Sequence, residues 1–171
     1  MFPIKSSRVI RNISILCILV ANIGCDQISK NVVRQNVGFY ETIEVVENYV
    51  TITYVENTGA FLSIGSNLPD TLKIILLSVI PLMALFFGVI YMLLKRNLTW
   101  MSALALSFAI GGGIGNIYDR LVHGSVTDFM HINFGLFQTG IFNMADVSIM
   151  TGMFIFLFQS YQRQKGRILH Q

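Results

Sequence analysis

The sequence is poor in charged side chains and has only two cysteines. Formal charges occur at 12% of its 171 residues, about half the share of an average soluble domain, while 53% of the residues are hydrophobic. A soluble domain of this length could not bury so much apolar surface. Cys17 and Cys25 fall in one apolar segment, ~12 Å apart along a helix, which is too far for a disulfide. The composition predicts an integral membrane protein without a disulfide framework.

The basic residues are also few, and the net charge is only +3. They cluster beside hydrophobic runs and do not form a face interleaved with aromatic side chains, which is the pattern expected of a nucleic-acid-binding surface. We therefore expect no nucleic acid partner.

Four apolar segments can each supply the ~20 residues that a helix needs to cross a bilayer. Two of them, 74–94 and 97–118, lack formal charge throughout. The uncharged stretches of the first and last segments are shorter than a full span. The first helix must therefore extend past Arg11 or Asp26, and the last must extend past Asp146. For the last helix, we expect a start at least one turn before Asp146. The prediction is a mainly α-helical integral membrane fold, a single membrane domain over 1–171, with spans at approximately 9–29, 73–94, 98–118 and 140–161.

The distribution of basic residues around these spans predicts the topology, because cytoplasmic flanks carry an excess of Lys and Arg. The N-terminus, the turn between spans two and three and the C-terminal tail are all basic, and both termini are therefore predicted to be cytoplasmic. The residues concerned are Lys5, Arg8, Arg11, Lys95, Arg96, Arg163, Lys165 and Arg167. The acidic insertion at approximately 31–70 is then extracytoplasmic.

The insertion contains a strand pattern, since apolar and threonine side chains alternate from Tyr49 to Val55. This pattern ends at the turn sequence Asn57-Thr58-Gly59. Between Gly38 and Asn48 the spacing fits a strand or a surface helix. The basic start, the apolar run and Cys25 also resemble a lipoprotein signal, but we expect the segment to be retained as the first span.

An ionised acidic side chain inside a membrane costs free energy, so each acidic residue predicted there needs a structural or functional explanation. Asp26 and Lys30 stand four residues apart in the favourable helical order, which fits an ion pair as well as substrate contact. For Asp119 we expect pairing with its neighbour Arg120.

Asp128 and Asp146 have no basic residue within four positions, and both lie among apolar side chains near the same predicted interface. Two carboxylates that meet in low dielectric share one proton, so that one can act as a base on water and the other as an acid. Peptide hydrolysis needs that pair of roles. Spacing alone leaves proton relay and structural carboxylates open as alternatives.

Other motifs favour structural roles. Gly111 and Gly115 form a Gly-x-x-x-Gly pattern that permits close helix packing, and the Gly-Lys-Ser/Thr ending of a phosphate loop is absent. His123 and His131 are eight residues apart, which matches no helical pair of metal ligands. We expect neither a metal site nor a cofactor.

Five motifs, in order along the chain, resemble the bacterial lipoprotein signal peptidase family, also called signal peptidase II. They are Asp26-Gln27-x-x-Lys30, Asn57-x-Gly59-Ala60-Phe61, Gly111-Gly112 followed by Gly115-Asn116-x-x-Asp119-Arg120, Val126-x-Asp128-Phe129, and Phe142-Asn143-x-Ala145-Asp146. The likeness runs from Asp26 to Asp146.

The resemblance implies a four-helix membrane aspartic peptidase with a small extracytoplasmic β-containing segment. It would cut prolipoproteins just before a cysteine that carries a diacylglyceryl group, at the outer face of the bacterial cytoplasmic (inner) membrane. Asp128 and Asp146 match the catalytic pair. The positions that surround or support the site match Asp26, Lys30, Asn57, Gly59, Asn116, Arg120, Asn143 and Ala145. Lipid-modified substrates and membrane lipids are the implied partners, and we expect a monomer.

Two other functions are compatible with parts of the pattern. A small proton-coupled carrier could use Asp26, Asp128 and Asp146 as a relay, although four spans without an inverted repeat disfavour it. A noncatalytic assembly subunit would need only the glycine packing. Asp→Asn variants distinguish the three, because they lose cleavage, lose transport or lose neither.

Overall fold

A computed structural model describes residues 4–60 and 63–168, with side chains described for 9–60 and 63–165. Phe61 and the side chains of Lys5, Arg8 and Arg167 lie outside this part. Four long helices and three strands follow one another as α1 (Ile4–Asn36), β1 (Thr42–Val46), β2 (Val50–Asn57), α2 (Asp70–Leu94), α3 (Trp100–His123), β3 (Val126–Ile132) and α4 (Met144–Ile168).

All four helices are long and apolar enough to cross a membrane. The predicted mainly α-helical membrane fold is confirmed, although helix ends differ from the expected positions. The expectation that α4 begins at least one turn before Asp146 is wrong, because α4 begins at Met144 and gains its length by running to Ile168. The preceding residues cannot join the helix, since Phe142 exchanges backbone hydrogen bonds with Met130 on β3.

The central helix of the bundle is α3, which packs against the other three. Thr99 caps its start by accepting a hydrogen bond from the Ser102 N–H at 3.2 Å, and Gly124 ends it in the left-handed conformation at φ 78°. The core beside it includes Ile15, Leu19, Met92, Ala103 and Ile110.

Close helix contact depends on the glycines of α3, as the Gly-x-x-x-Gly pattern predicted. A Cβ at Gly111 would overlap the side chain of Asn22 on α1, and one at Gly115 would overlap the Asp26 carboxylate. A Cβ at Gly112 would overlap the carbonyl oxygen of Ala145 on α4. Glycine therefore lets α1 and α4 approach α3 where the polar side chains meet.

Helix α2 is the least buried of the four and contains a π-helical segment, Ile74–Val79. Pro81 follows this segment and lacks the N–H that a regular helix would direct at the carbonyl of Leu77. A π segment just before a proline accommodates that missing bond, and such segments often border functional sites.

The three strands form one antiparallel sheet in the order β1, β2, β3. The strand predicted at 49–55 is confirmed as β2, and β1 lies within the ambiguous stretch 38–48. Strand β3 was not predicted. Its first four residues, 126–129, are all buried, so both faces of the strand are covered and no alternation between apolar and polar residues was required.

Candidate active site

Asp128 and Asp146 come from different elements and line the same cavity. Asp128 lies on β3 opposite Val55 of β2, and Asp146 lies in the first turn of α4. Sheet pairing therefore positions one carboxylate, and the start of a helix positions the other.

The first turn of α4 is held by a reciprocal cap between Asn143 and Asp146. The Asp146 N–H donates to Asn143 Oδ1 at 3.0 Å, and the Asn143 N–H donates to Asp146 Oδ2 at 3.2 Å. This arrangement corresponds to the capping box, in which the residue before the helix and the third helical residue satisfy each other's N–H groups. The cap fixes the direction of the Asp146 side chain.

Asn143 also connects the two carboxylates, because its side-chain amide donates to Asp128 Oδ1 at 2.6 Å. The other oxygen, Asp128 Oδ2, accepts from Asn57 Nδ2 at 2.9 Å. Asp128 is only 5% exposed. Burial raises the pKa of Asp128 to about 6, and the Asp146 carboxylate acts in the same direction, while the hydrogen bonds from Asn57 and Asn143 oppose the rise.

Asp146 Oδ1 accepts a hydrogen bond from Asn116 Nδ2 on α3 at 2.9 Å. The amide of Asn116 can point its nitrogen there because its oxygen accepts from Lys30 Nζ at 3.0 Å and from Asn143 Nδ2 at 3.1 Å. Two donors on one side of the amide determine its orientation. Lys30 thus influences Asp146 through Asn116.

A buried charge cluster lies behind the two carboxylates, between α1 and α3. Lys30 Nζ contacts Asp26 Oδ2 at 2.8 Å and Asp119 Oδ2 at 3.0 Å, and all three side chains are 0% exposed. With Asn116 as its third acceptor, the ammonium group uses all three of its donors. Arg34 adds a second cation at 3.1 Å from Asp119 Oδ1. Asp26 Oδ1 accepts the N–H of Ala145 and so joins the cluster to α4.

The turn after β2 closes another side of the site. Asn57 Oδ1 accepts the Gly59 N–H at 2.9 Å, and the Gly59 carbonyl accepts from Arg120 Nη2 at 2.8 Å. A Cβ at Gly59 would overlap the backbone of Ser63 and Ile64, so this turn requires glycine. The turn therefore positions Asn57 beside Asp128 and anchors Arg120 at the cavity.

The cavity has a volume of about 440 Å³, and its wall is mostly apolar. Its polar lining consists of the two aspartates with Asn57, Asn116 and Arg120. The apolar lining comes from α2, α3, α4 and the residues near β3, and includes Leu77, Pro81, Leu85, Ile117, Ile141 and Ile149. Such a volume can hold a short apolar peptide segment beside the two carboxylates.

The structure brings the ten predicted site residues into one connected network but places them at different depths. The cavity lining includes Asp128, Asp146, Asn57, Asn116 and Arg120. The supporting contacts just described involve the other five, which are Asp26, Lys30, Gly59, Asn143 and Ala145. Asp26 and Lys30 form the ion pair that their spacing indicated.

The expected pairing of Asp119 with Arg120 is wrong. Asp119 pairs with Lys30 and Arg34 of α1, whereas the Arg120 guanidinium donates to the carbonyls of Gly59 and Asn116. Adjacent residues on a helix point in different directions, so these two side chains reach different neighbours.

The predicted site residues leave out three polar residues of the network, although Gln27 stands in the first motif. Arg34 Nε donates to Thr127 Oγ1 at 2.8 Å, and Gln27 Nε2 lies 3.0 Å from Asp26 Oδ2 and 3.1 Å from Asp119 Oδ1. A usable signal existed for Arg34, because Asp26, Lys30 and Arg34 recur every four residues and so share one helix face. No sequence signal singled out Thr127, whose side chain lies at the edge of the sheet beside Glu56.

Comparison with known proteins shows the family of this chain. A family model of signal peptidase (SPase) II matches residues 18–162. The lipoprotein signal peptidase of Borrelia duttonii is 34% identical over 90% of this chain and 91% of that protein, and the one of Syntrophus aciditrophicus is 27% identical over 83% and 88%. A bacterial membrane enzyme solved by the in meso method at 2.3 Å superposes with a TM-score of 0.78 at 25% identity, covering 90% of each chain. These matches do not favour the carrier hypothesis. The chain belongs to the signal peptidase II family, and it is a peptidase of bacterial membranes.

Proposed function

We propose that Asp128 and Asp146 are the catalytic pair and that they cleave prolipoproteins immediately before a diacylglyceryl-modified cysteine. The observation that carries this proposal is the meeting of two carboxylates, joined through Asn143, on one mostly apolar cavity. No metal or cofactor takes part in the proposed steps.

The two carboxylates differ in environment, which supports different roles. We assign the resting proton to Asp128, because burial raises its pKa to about 6. Asp146 then acts as the base: it takes a proton from water while the oxygen attacks the scissile carbonyl carbon, and Asp128 gives its proton to the carbonyl oxygen. When the tetrahedral intermediate collapses, Asp146 returns its proton to the leaving nitrogen and Asp128 recovers one from the oxygen. The pair ends in its starting state.

The surrounding residues hold this pair and do not exchange protons with substrate in the proposed steps. Asn57, Asn116 and Asn143 orient the carboxylate oxygens, and the Gly59 turn and Ala145 fix the elements that carry them. Asp26 and Lys30 support Asn116 and the start of α4. Arg120 keeps a cation beside both carboxylates and so stabilises the negative charge that the pair carries. Every one of these residues comes from a single chain, so a monomer suffices.

The lipid on the substrate cysteine should strongly affect cleavage. Each buried methylene of an acyl chain contributes ~0.8 kcal/mol, so acyl chains that stay in the bilayer can anchor the scissile bond beside the carboxylates. We expect the purified protein in detergent to cut a diacylglyceryl precursor far faster than the same precursor without lipid.

Mass spectrometry of the two products, at equal enzyme and precursor concentrations, measures this difference. Cleavage of both precursors at the same rate, or cleavage at another bond, would contradict the proposed substrate class.

The pH dependence should show Asp128 acting as the acid. Its pKa of about 6 lies above the usual range for aspartate, so its proton is present below about pH 6 and is lost above that value. Because kcat/KM reports the free enzyme, we expect kcat/KM to decline as pH rises beyond about 6.

Rates at low precursor concentration between about pH 5 and about pH 8 test this point. A kcat/KM that instead rises with pH across this range would assign the proton to Asp146 and reverse the two roles.

We also propose that both termini face the cytoplasm and that the catalytic pair lies near the outer face. The Arg11 guanidinium donates to the carbonyl of Arg96 at 3.3 Å, so the start of α1 and the basic turn after α2 lie at the same end of the bundle. The excess of basic residues at that end supports a cytoplasmic position for it. In a chain lacking Cys17 and Cys25, an impermeant thiol reagent on intact cells should label Glu44→Cys and leave Lys95→Cys unlabelled. The reverse labelling would contradict this orientation.

A further inference from the structure

Three large apolar side chains are exposed on a short hairpin that follows β3. We call residues 133–138 the tip hairpin. Leu136 is 97% exposed, Phe137 77% and Phe134 66%. No other described part of the chain outside the four helices brings three large apolar side chains of such exposure into a stretch of four residues. Exposure of such an apolar cluster to water is energetically unfavourable.

The conformation of the tip hairpin is well defined by its own hydrogen bonds. The Phe134 N–H donates to the Phe137 carbonyl at 2.7 Å, and the Gly135 N–H donates to Asn133 Oδ1 at 2.8 Å. Gly135 has φ +76°, as a two-residue hairpin turn needs at its first central position. The apolar side chains are therefore presented on a turn whose local conformation these hydrogen bonds define.

The chain segment that contains the tip hairpin carries no acidic side chain, lysine or arginine. No Asp, Glu, Lys or Arg occurs between Asp128 and Asp146, a stretch of the chain that includes the hairpin and its return to α4. The return is short: Gln138 pairs with Asn133, Phe142 pairs with Met130, and the membrane helix begins at Met144. The hairpin is thus continuous with the membrane-embedded part of the protein, through a segment that carries no charge to hold it in water.

We propose that the tip hairpin inserts Phe134, Leu136 and Phe137 into the leaflet adjoining the start of α4. The partner is a lipid surface, and neither another protein nor a second copy is required. Aromatic side chains favour the interfacial zone of a bilayer, and the neighbouring Tyr49, whose carbonyl accepts the Asn133 N–H, adds another ring at this place. The inserted hairpin sets the height of β3, and so of Asp128, relative to the membrane surface. The proposal does not depend on the peptidase assignment.

Depth-dependent fluorescence quenching tests the proposal. The protein would carry one environment-sensitive fluorophore at Leu136→Cys in a background lacking Cys17 and Cys25. It would be reconstituted at one copy per phosphatidylcholine nanodisc, without substrate, so that neither a second copy nor a precursor can cover the hairpin. We expect a blue-shifted emission that is quenched by lipids bearing a nitroxide on the acyl chain and protected from aqueous iodide.

The matched control carries the same fluorophore at Glu44→Cys, an exposed and charged position on β1. That control should be quenched by iodide and unaffected by the nitroxide lipids. Adding Phe134→Asp and Phe137→Asp to the labelled Leu136→Cys protein should move its label from the lipid-quenched to the iodide-quenched class.

Iodide quenching at position 136 equal to that at position 44 would overturn the proposal. Protection from both quenchers would overturn it too, because the hairpin would then be covered by the protein itself. A circular dichroism spectrum unchanged by each substitution establishes that the compared proteins are folded.

Discussion

Replacing either Asp128 or Asp146 with Asn should reduce the rate of cleavage of a lipid-modified precursor by about 10²–10⁴-fold or more. This is the range attributed to a positioned acid or base. In each variant the side chain keeps its size but loses the ability to take up and release a proton. The double variant should be little worse than either single variant, because residues that act as one unit are not additive. Precursor binding should persist, since the apolar cavity wall is unchanged.

Asp70→Asn provides the matched control for this experiment. Asp70 begins α2, its side chain is 96% exposed, and it lies outside the cavity, so its substitution should leave the rate unchanged. At position 128 the new amide nitrogen would face a donor from Asn57 or Asn143 and lose one hydrogen bond. Thermal unfolding in detergent should therefore accompany each rate. A folded single variant with near wild-type cleavage would rule out the pair.

Lys30→Met should destabilise the protein by about 3–5 kcal/mol, the cost of removing one partner from a buried ion pair. Methionine nearly matches the length of lysine but leaves Asp26 and Asp119 buried without the ammonium group they share. It also removes the donor that orients Asn116, so cleavage should fall even at temperatures where the variant stays folded. Thermal unfolding and cleavage rate measure the two effects separately.

The matched control is Lys73→Met, since Lys73 pairs with the exposed Asp70 at 3.7 Å and such surface pairs contribute little. Neutralising the stranded carboxylates, by adding Asp26→Asn and Asp119→Asn to Lys30→Met, should recover part of the lost stability. If Lys30→Met unfolded at the wild-type temperature, the charge cluster would not be the support that its contacts indicate.

The features that sequence predicted are those set by composition over long stretches. Four membrane helices were predictable because each apolar segment can reach the length that a bilayer requires. The close approach of α3 to its neighbours was predictable from the spacing of Gly111 and Gly115. Asp128 and Asp146 stood out because no basic residue lies near them in the chain. Their meeting was not predictable by that argument, because it depends on the pairing of β3 with β2 and on the first turn of α4.

The features that sequence missed depend on tertiary contacts. Asp119 forms an ion pair with Lys30, which is 89 positions away in the chain, and not with the adjacent Arg120. Strand β3 lacks alternation because Thr127 and Asp128 are both buried, one against α1 and the other in the site. The start of α4 did have a local signal, since Asn143-x-x-Asp146 fits a capping box, but the length needed for a membrane span suggested an earlier start.

The reciprocal cap between Asn143 and Asp146 has a consequence for the order in which the protein is made. Asn143 and Asp146 leave the ribosome after Asp26, Asn57, Asn116 and Asp128, which precede them in the chain. An unfinished chain that ends before Asn143 contains the cavity's earlier walls but only one of the two carboxylates. On the proposed assignment of the catalytic pair, hydrolysis cannot begin before α4 forms its first turn, so synthesis delays the activity until the first three membrane helices have been made.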